Sequence, residues 1–533
     1  MVTSLLSLSV KNYKAFKDAY IPIKPITIFL GANSIGKSSI IQLLLLLKQT
    51  AQEDNRSYKS VFKLYGDYVN LGDPINLFHR LDTNIPFELS LQIYSSKLKR
   101  ELCNLLATFK KYIIDFFWYF PSEDIKFEEL RKLEKLEKES FFNTLDRMKL
   151  ILTREKEKSN NEERHYFFLD ESNIVNYSEL LYDDEDNIKI RKTYNFLEEL
   201  SEKLEDSNSF NFSFKIRYKN KKIYLSEITI SESNLNIASI LLTEENKLIL
   251  NSDYVNINQV EVEKFSSYFY RTNPLFSCIR TSPELNKDKP TIIRCLGYIF
   301  EKSLSELKTV FSTNRINYVS PLRAHPKRYY MLDKANVYDT LDTLDGDAIA
   351  EVLKDKATLK QRVNSWLKNF GLSVDVEEFK EVIHHLKVTQ NELDLNIKDV
   401  GFGISQILPV IIQGFLSTTN SIVMMEQPEI HLHPKMQADL SDLFIETIKG
   451  KPNKRLIIET HSEYLLRRLR RRIAEQKDIS NDEVAICMFY SEENTLNTCI
   501  KVLDINKTGY FEWPKEFYGG EIYNDTVEFL KLQ

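Results

Sequence analysis

The apolar run Pro25-Ile-Thr-Ile-Phe-Leu30 passes directly into Gly31-Ala-Asn-Ser-Ile-Gly-Lys-Ser-Ser39, and this into Ser38-Ser-Ile-Ile-Gln-Leu-Leu-Leu-Leu-Leu-Lys48. The first run reads as a buried strand and the last as a helix. The chain is therefore expected to contain a strand–loop–helix unit, the seed of an α/β fold. The loop has the spacing G-x-x-x-x-G-K-[ST], in which Gly31 and Gly36 permit backbone angles that a side chain would obstruct. Successive N–H groups of such a loop point at an anion, and the helix that follows adds its positive end. Gly31, Asn33, Ser34, Gly36, Lys37, Ser38 and Ser39 are thus the expected nucleotide-binding residues. Lys37 would reach the β- and γ-phosphates of ATP, and the Ser38 hydroxyl would ligate Mg2+.

Composition narrows the remaining classes. A net charge of −5 and a pI near 6.1 give no global electrostatic case for nucleic acid, so any such contact must be local. The five cysteines are scattered and form no C-x-x-C pair, which suggests reduced thiols and neither a disulfide framework nor a zinc site. Met1-Val-Thr-Ser-Leu-Leu has no secretory pattern. The apolar run Leu43 to Leu47 falls far short of the roughly 20 residues that span a bilayer. A soluble, cytoplasmic protein without a membrane partner is expected.

Along the chain, alternating apolar residues predict two strands before the loop strand, and others at Tyr65–Gly72 and Phe87–Tyr94. From Lys97 to about Arg164 the sequence is Lys/Glu-rich and nearly free of Gly and Pro. Leu130, Leu133 and Leu136 suggest long amphipathic helices there. Strand-like alternation returns over 209–262, and the acidic Asp183–Asp186 reads as a solvated loop. Residues 96–310 are therefore expected to be an insertion of helices followed by an antiparallel β meander. It separates an N-terminal lobe, 1–95, from a C-terminal lobe, 311–475, and an α/β tail follows over 476–533. In the second lobe, Asn317 to Pro326 reads as a strand ending in a rigid loop, followed by a helical stretch from Asp345 to about Phe370.

Ser421 to Met425 is a short apolar run ending in Glu426, the form of a strand that delivers a carboxylate to a metal beside the phosphate loop. The long gap between Gly31 and Glu426 suggests two lobes brought together around an insertion. A further apolar strand, Leu456-Ile-Ile, ends in Glu459-Thr-His461, which places His461 to sense a γ-phosphate.

Together these motifs resemble the ABC-type head ATPases of the SMC, RecF and OLD kind, over roughly residues 1–95 and 311–475. The resemblance implies that Gly401-Phe-Gly403-Ile-Ser405-Gln406 is the signature motif, with Gly403, Ser405 and Gln406 at the start of a helix running from Ile407 to Phe415. There they would bind the nucleotide held by a second subunit, so that the protein works as a homodimer or higher homo-oligomer. Leu432-His433 takes the D-loop position and His461 that of the switch histidine. Glu426 would hold Mg2+, but Gln427 stands where the family has its catalytic acid. Glutamine orients water but does not accept its proton. Glu429 or His461 would then take the proton, or hydrolysis is slow. The family's Q-loop glutamine has no counterpart: the region offers only Asn70 and Asp73.

Tyr318-Val-Ser-Pro-Leu-Arg-Ala, Glu426-Gln-Pro-Glu-Ile-His-Leu-His-Pro434, the stretch from Thr460 to Arg472 and Glu512-Trp-Pro-Lys-Glu-Phe517 look like bacterial OLD-like defence ATPases of the PtuA-like (Septu and retron) or PARIS type. Members of that group scaffold or restrain a separately encoded effector such as an HNH nuclease or a toxin. After His461 there is no Asp-x-Asp pair of the kind a TOPRIM nuclease needs. The alternative is a RecF/SMC-like DNA-binding ATPase of repair or recombination. For either, Arg467, Arg468, Arg470, Arg471 and Arg472 at helical spacing form a candidate basic face for nucleic acid or an acidic partner, and Arg323 and Arg328 either serve the same interface or salt-bridge across the lobes.

A general base contributes on the order of 10²–10⁴-fold when well placed. Gln427→Glu is therefore expected to raise the steady-state ATPase rate. A rapid wild type that does not respond to the substitution would place the base at Glu429 or His461.

Overall fold

The computed structural model describes residues 3–53, 59–119, 137–159, 184–205, 207–243, 245–280, 291–312, 314–323, 325–331, 347–380, 383–390, 392–491, 497–512 and 527–532. The chain divides into two compact units: one of Ser95–Phe214 and Leu225–Glu306, the other of Val2–Tyr94, Lys215–Tyr224 and Leu307–Gln533.

The larger unit begins with β1 (Thr3–Tyr13) and β2 (Phe16–Pro22), an antiparallel hairpin closed by the Tyr13–Phe16 pair. Next comes β3 (Ile26–Gly31), buried at every position. A strand covered on both faces is apolar throughout, which is why this run shows no alternation. Helix α1 (Lys37–Ala51) follows, with Ile40, Ile41 and Leu43 to Leu47 all buried, so it is a core helix rather than a surface one. Strand β4 (Phe87–Ser95) alternates buried and half-buried residues.

The strand expected at Tyr65–Gly72 does not form: Tyr65 and Asn70 meet in a single isolated bridge. Gln49 of α1 takes the backbone groups that a strand partner would need. Its side chain donates to the carbonyls of Lys63 and Val69 and accepts from Val69 N at 3.1 Å.

The smaller unit holds α2 (Ser96–Cys103), α3 (Leu105–Tyr119), α4 (Lys138–Ser159) and α5 (Asp184–Leu204). It also holds parts of β5 (Ser209–Lys219) and β6 (Lys222–Glu232), then β7 (Leu235–Leu242), β8 (Leu248–Asn251), α6 (Gln259–Ser266) and most of α7 (Ile292–Val310). The antiparallel meander pairs Thr229 with Ser239 and Ile240 with Leu250. Asp184 to Asp186 lie at the start of α5 rather than in a loop, and Asp183 lies outside the described residues. Leu130, Leu133 and Leu136 lie outside the described residues.

The larger unit resumes with β9 (Ile316–Val319), β10 (Tyr330–Met331), α8 (Asp347–Asp355) and α9 (Ala357–Leu367). An antiparallel sheet of β11 (Leu372–Lys380), β12 (Ile383–Gln390) and β13 (Leu393–Asn396) follows, in which β12 pairs with β11 and also with both β10 and β13. Then come α10 (Phe402–Leu416), β14 (Ile422–Glu426), α11 (Pro434–Ile448), β15 (Arg455–Glu459), α12 (Glu463–Ala474), β16 (Val484–Ser491) and β17 (Thr498–Leu503).

The central sheet runs β17-β16-β3-β15-β14-β9, and all strands but β17 are parallel to their neighbours. Strand β3 from the N-terminal segment is thus inserted between two strands of the C-terminal one, making a split α/β head. Ile28 lies beside Ile458 on one side and Ile486 on the other. These side chains share one core with Met425, with Ile407 and Ile411 of α10, and with Leu465 and Leu469 of α12. The segment after residue 475 is no appendage to this sheet: it supplies β16, which pairs with the loop strand itself.

Ile458→Ala removes fully buried carbons from the middle of the sheet and is expected to cost about 2–5 kcal/mol. Urea unfolding of the purified protein measures this.

Candidate functional site

Because β3, β14 and β15 run parallel and in register, their C-terminal ends share one edge of the sheet. Binding sites of open α/β sheets lie at such edges. Glu426 pairs with Glu459, and Glu459 with Phe29. The chain leaves β3 through Gly31 at φ +141°, where an added Cβ would sit 2.4 Å from the Phe489 carbonyl oxygen. Gly36, at φ +104°, admits α1, and a Cβ there would meet Ala15 Cβ and the Phe16 ring, each at 3.1 Å. The turn is anchored from outside. Thr498 Oγ1 donates to the Ile35 carbonyl at 2.9 Å, and the Tyr13 hydroxyl to the Ser39 carbonyl at 3.1 Å. Asn33 and Ser34 are exposed at its tip, with Ser34 at φ +62°.

Inside the loop, Lys37 Nζ donates to the carbonyls of Gly31 at 3.0 Å and Ala32 at 2.7 Å, and lies 3.6 Å from Glu459 Oε1. Burial lowers the Lys37 pKa, against the pull of Glu459. Ser38 Oγ donates to Glu459 Oε2 at 3.1 Å. Glu426 Oε1 accepts from the Tyr318 hydroxyl at 2.5 Å, and burial raises the pKa of this carboxyl against that hydrogen bond. Sequence reasoning gave Glu459 no role. The available signal was its position at the end of an apolar strand, the same signal that singled out Glu426.

Beyond Glu426 the backbone turns through Gln427, at φ +46°, whose N–H donates to the Glu459 carbonyl at 2.7 Å. Glu429 is buried and accepts the His461 N–H on Oε1 at 2.7 Å. Burial raises its pKa, and the hydrogen bond opposes the shift. Burial, and then the Lys37 charge, lower the His461 pKa. His461 Nε2 and Glu429 Oε2 are buried without a hydrogen-bond partner among the described residues. Arg323, from the loop after β9, is also buried. It donates to the carbonyls of Gln427 at 2.9 Å, Glu426 at 3.2 Å and Gln406 at 3.3 Å. Arg328 pairs with Asp399 at 2.8 Å.

Helix α10 begins at Phe402 rather than Ile407, so Gly403, Ser405 and Gln406 form its first turn. The chain enters it from Gly401, whose backbone (φ −53°, ψ 138°) is non-helical. Gly403 packs against the D-loop backbone: a Cβ there would lie 2.7 Å from the His431 carbonyl oxygen. Ser405 Oγ donates to the Phe402 carbonyl at 2.7 Å, and Ser405 and Gln406 are both buried. Within this chain, the exposed donors of the motif are therefore backbone groups at its start. His433 caps α11, accepting from Lys435 N on Nδ1.

Each arginine of the α12 run has a partner within the chain. Arg468 and Arg472 both pair with Asp442, at 2.7 and 2.6 Å. Arg467 and Arg471 pair with Glu463 and Glu475 along the helix, and Arg470 donates to the Gly509 carbonyl. The acidic residues come from α11, α12 itself and the residue after it, none of which a count of arginines reveals. Asn70 and Asp73 are exposed on the loop held by Gln49.

The model of the AAA ATPase domain family matches residues 4–466. The chain belongs to that family. It is accordingly an ATP-binding ATPase, and the donor set fits such a ligand: a glycine turn closed to any side chain, one buried lysine, one hydroxyl and two strand-end carboxylates. Similar solved structures include an SMC head bound to the C-winged helix domain of ScpA, at 11% identity and TM-score 0.34, covering 95% of this chain and 98% of that one. Another is the SMC head domain from Thermotoga maritima, at 8% identity and TM-score 0.32, covering 94% and 98%. A third is the Pyrococcus furiosus Smc head domain with an extended coiled coil bound to the C-terminal domain of ScpA, at 9% identity and TM-score 0.32, covering 99% and 100%. No curated protein matches the chain in sequence. Among the described residues, no helix is long and apolar enough to cross a membrane.

Arg323→Ala in this ATPase strips the donors from three carbonyls and is expected to lower the unfolding free energy by about 3 kcal/mol. Chemical denaturation checks this.

Proposed function

We propose that this ATPase binds ATP with Mg2+ between the Gly31–Ser39 loop and Glu426, pairs with a second copy of itself on doing so, and hydrolyses the nucleotide slowly. Through that cycle it controls a separately encoded effector, a nuclease or a toxin, in anti-phage defence. One observation carries the switch: buried Arg323 ties the first turn of α10 to the carbonyls of Glu426 and Gln427. A second subunit engaging Gly401–Gly403 would thus bear on the loop that positions water.

Lys37 would exchange its carbonyl partners for the β/γ-phosphates, and the loop N–H groups would cradle them. The cation, when bound, neutralises charge between those phosphates; Ser38 and Glu426 are the residues to hold it. Gln427 orients the attacking water without accepting its proton, which suits a long-lived ATP state. Glu429 holds the backbone of His461, whose ring Nε2 has no hydrogen-bond partner among the described residues and would contact a γ-phosphate.

The effector reading rests on the sequence resemblances at Tyr318, Glu426 to Pro434 and Thr460 to Arg472. The DNA-binding alternative is weaker because the arginines of α12 already hold acidic partners or a carbonyl.

Sedimentation velocity with and without ATP tests the cycle. Wild type is expected to dimerise with ATP, and Lys37→Ala to lose both nucleotide binding and dimerisation. Ser405→Arg is expected to bind nucleotide yet remain monomeric. Mixing the two variants should restore at most one working site per dimer. Wild-type hydrolysis by either variant alone would refute the shared site, and salt-sensitive DNA binding that requires ATP and no partner would favour the alternative.

A further inference from the structure

We propose that Glu459 is a second carboxylate ligand of the divalent cation that accompanies the nucleotide, completing with Ser38 and Glu426 a metal site delivered by three separate elements. The proposal rests on the nucleotide-binding reading above.

Three observations support it. Mg2+ holds oxygens at about 2.0–2.1 Å in octahedral geometry, so adjacent ligands stand about 2.9 Å apart. Ser38 Oγ and Glu459 Oε2 are 3.1 Å apart, already close to the separation of two neighbouring ligands. Second, Glu426 and Glu459 are aligned partners at the ends of parallel strands, and both are buried.

Third, the charges call for a cation. Two buried carboxylates share this corner, and Lys37 is the cation beside Glu459. Phosphates that draw Lys37 toward themselves leave the pair with two negative charges and a weakened counter-charge. Isolated carboxylates are costly away from water, and a divalent cation matches them in charge and in ligand chemistry. Mg2+ bound with nucleotide typically takes one or two carboxylates besides phosphate and water. Glu459 also supplies a protein oxygen in a site where the sequence offers no Q-loop glutamine and where Asn70 and Asp73 are exposed on a loop.

Mn2+ titration followed by EPR, with the protein saturated by the non-hydrolysable β,γ-imido analogue of ATP, reads the site without turnover. Glu459→Gln is expected to weaken Mn2+ binding at least about 10-fold, on the scale of lost metal-site partners. Its affinity for the analogue in EDTA should be equal to or greater than that of wild type, because Lys37 is released. Glu426→Gln serves as the comparator. Unchanged Mn2+ affinity in Glu459→Gln, with loss in Glu426→Gln, would overturn the proposal while leaving nucleotide binding intact. A wild type that binds no analogue, with or without metal, would instead remove the nucleotide reading itself. Should Glu459→Gln fail to fold, Glu459→Asp takes its place: retracting the carboxylate by one methylene should weaken Mn2+ several-fold, and no change would refute the assignment.

Discussion

Parallel main-chain pairing of β3, with β15 on one side and β16 on the other, is the constraint on which the rest of the structure depends. It sets Ile28 level with Ile458 and Ile486 and so fixes where the strand ends. A slip of one residue would shift Gly31 by about 3.3 Å along the sheet and turn each side chain to the opposite face. Gly31 would then lose its close approach to the Phe489 carbonyl, and the loop would no longer start level with Glu459. The binding corner is therefore a property of sheet register before it is a property of any side chain. That is how residues from both ends of the chain come to line one small volume.

Much of this was legible in the sequence because buried parallel strands announce themselves. Ile26 to Leu30, Ile422 to Met425 and Leu456 to Ile458 are short apolar runs ending in a glycine or an acid, and each became a strand of the central sheet. The structure adds to the sequence reading where a side chain's partners decide its surroundings. Tyr65–Gly72 alternates like a strand, yet Gln49 satisfies its backbone. Arg467–Arg472 looks like a basic face, yet acidic residues such as Asp442 and Glu475 absorb much of its charge. Ser405 reads as an available donor, yet the helix starts one turn early and its hydroxyl turns to Phe402. Glu459 stands two residues before His461, at the end of an apolar strand like Glu426.

The buried charges fall into two linked sets. Lys37 faces Glu459, with Glu426 alongside. Arg323 spans the carbonyls behind Glu426 and lies near Glu429, and burial brings its pKa down to about 10 while Glu429 works against the fall. The first set belongs to the nucleotide side and the second to the α10 side, and Glu426 and Gln427 are common to both through their backbone. A guanidinium suits this position because its planar fork reaches several oxygens at once, which an ammonium group cannot do with the same geometry.

The interleaved order of the central sheet also bears on how the protein is made. Strand β3 leaves the ribosome early, but neither of its neighbours exists until β15 and β16 have been synthesised, and β15 ends only at Glu459. At roughly 5–20 residues per second the nascent chain waits tens of seconds with both edges of an apolar strand unpaired. During that interval Ile26 to Leu30 and the leucines of α1 are a liability for aggregation. The N-terminal segment cannot complete its sheet alone, so correct folding of this ATPase is a late event in translation and a point at which chaperones have time to act.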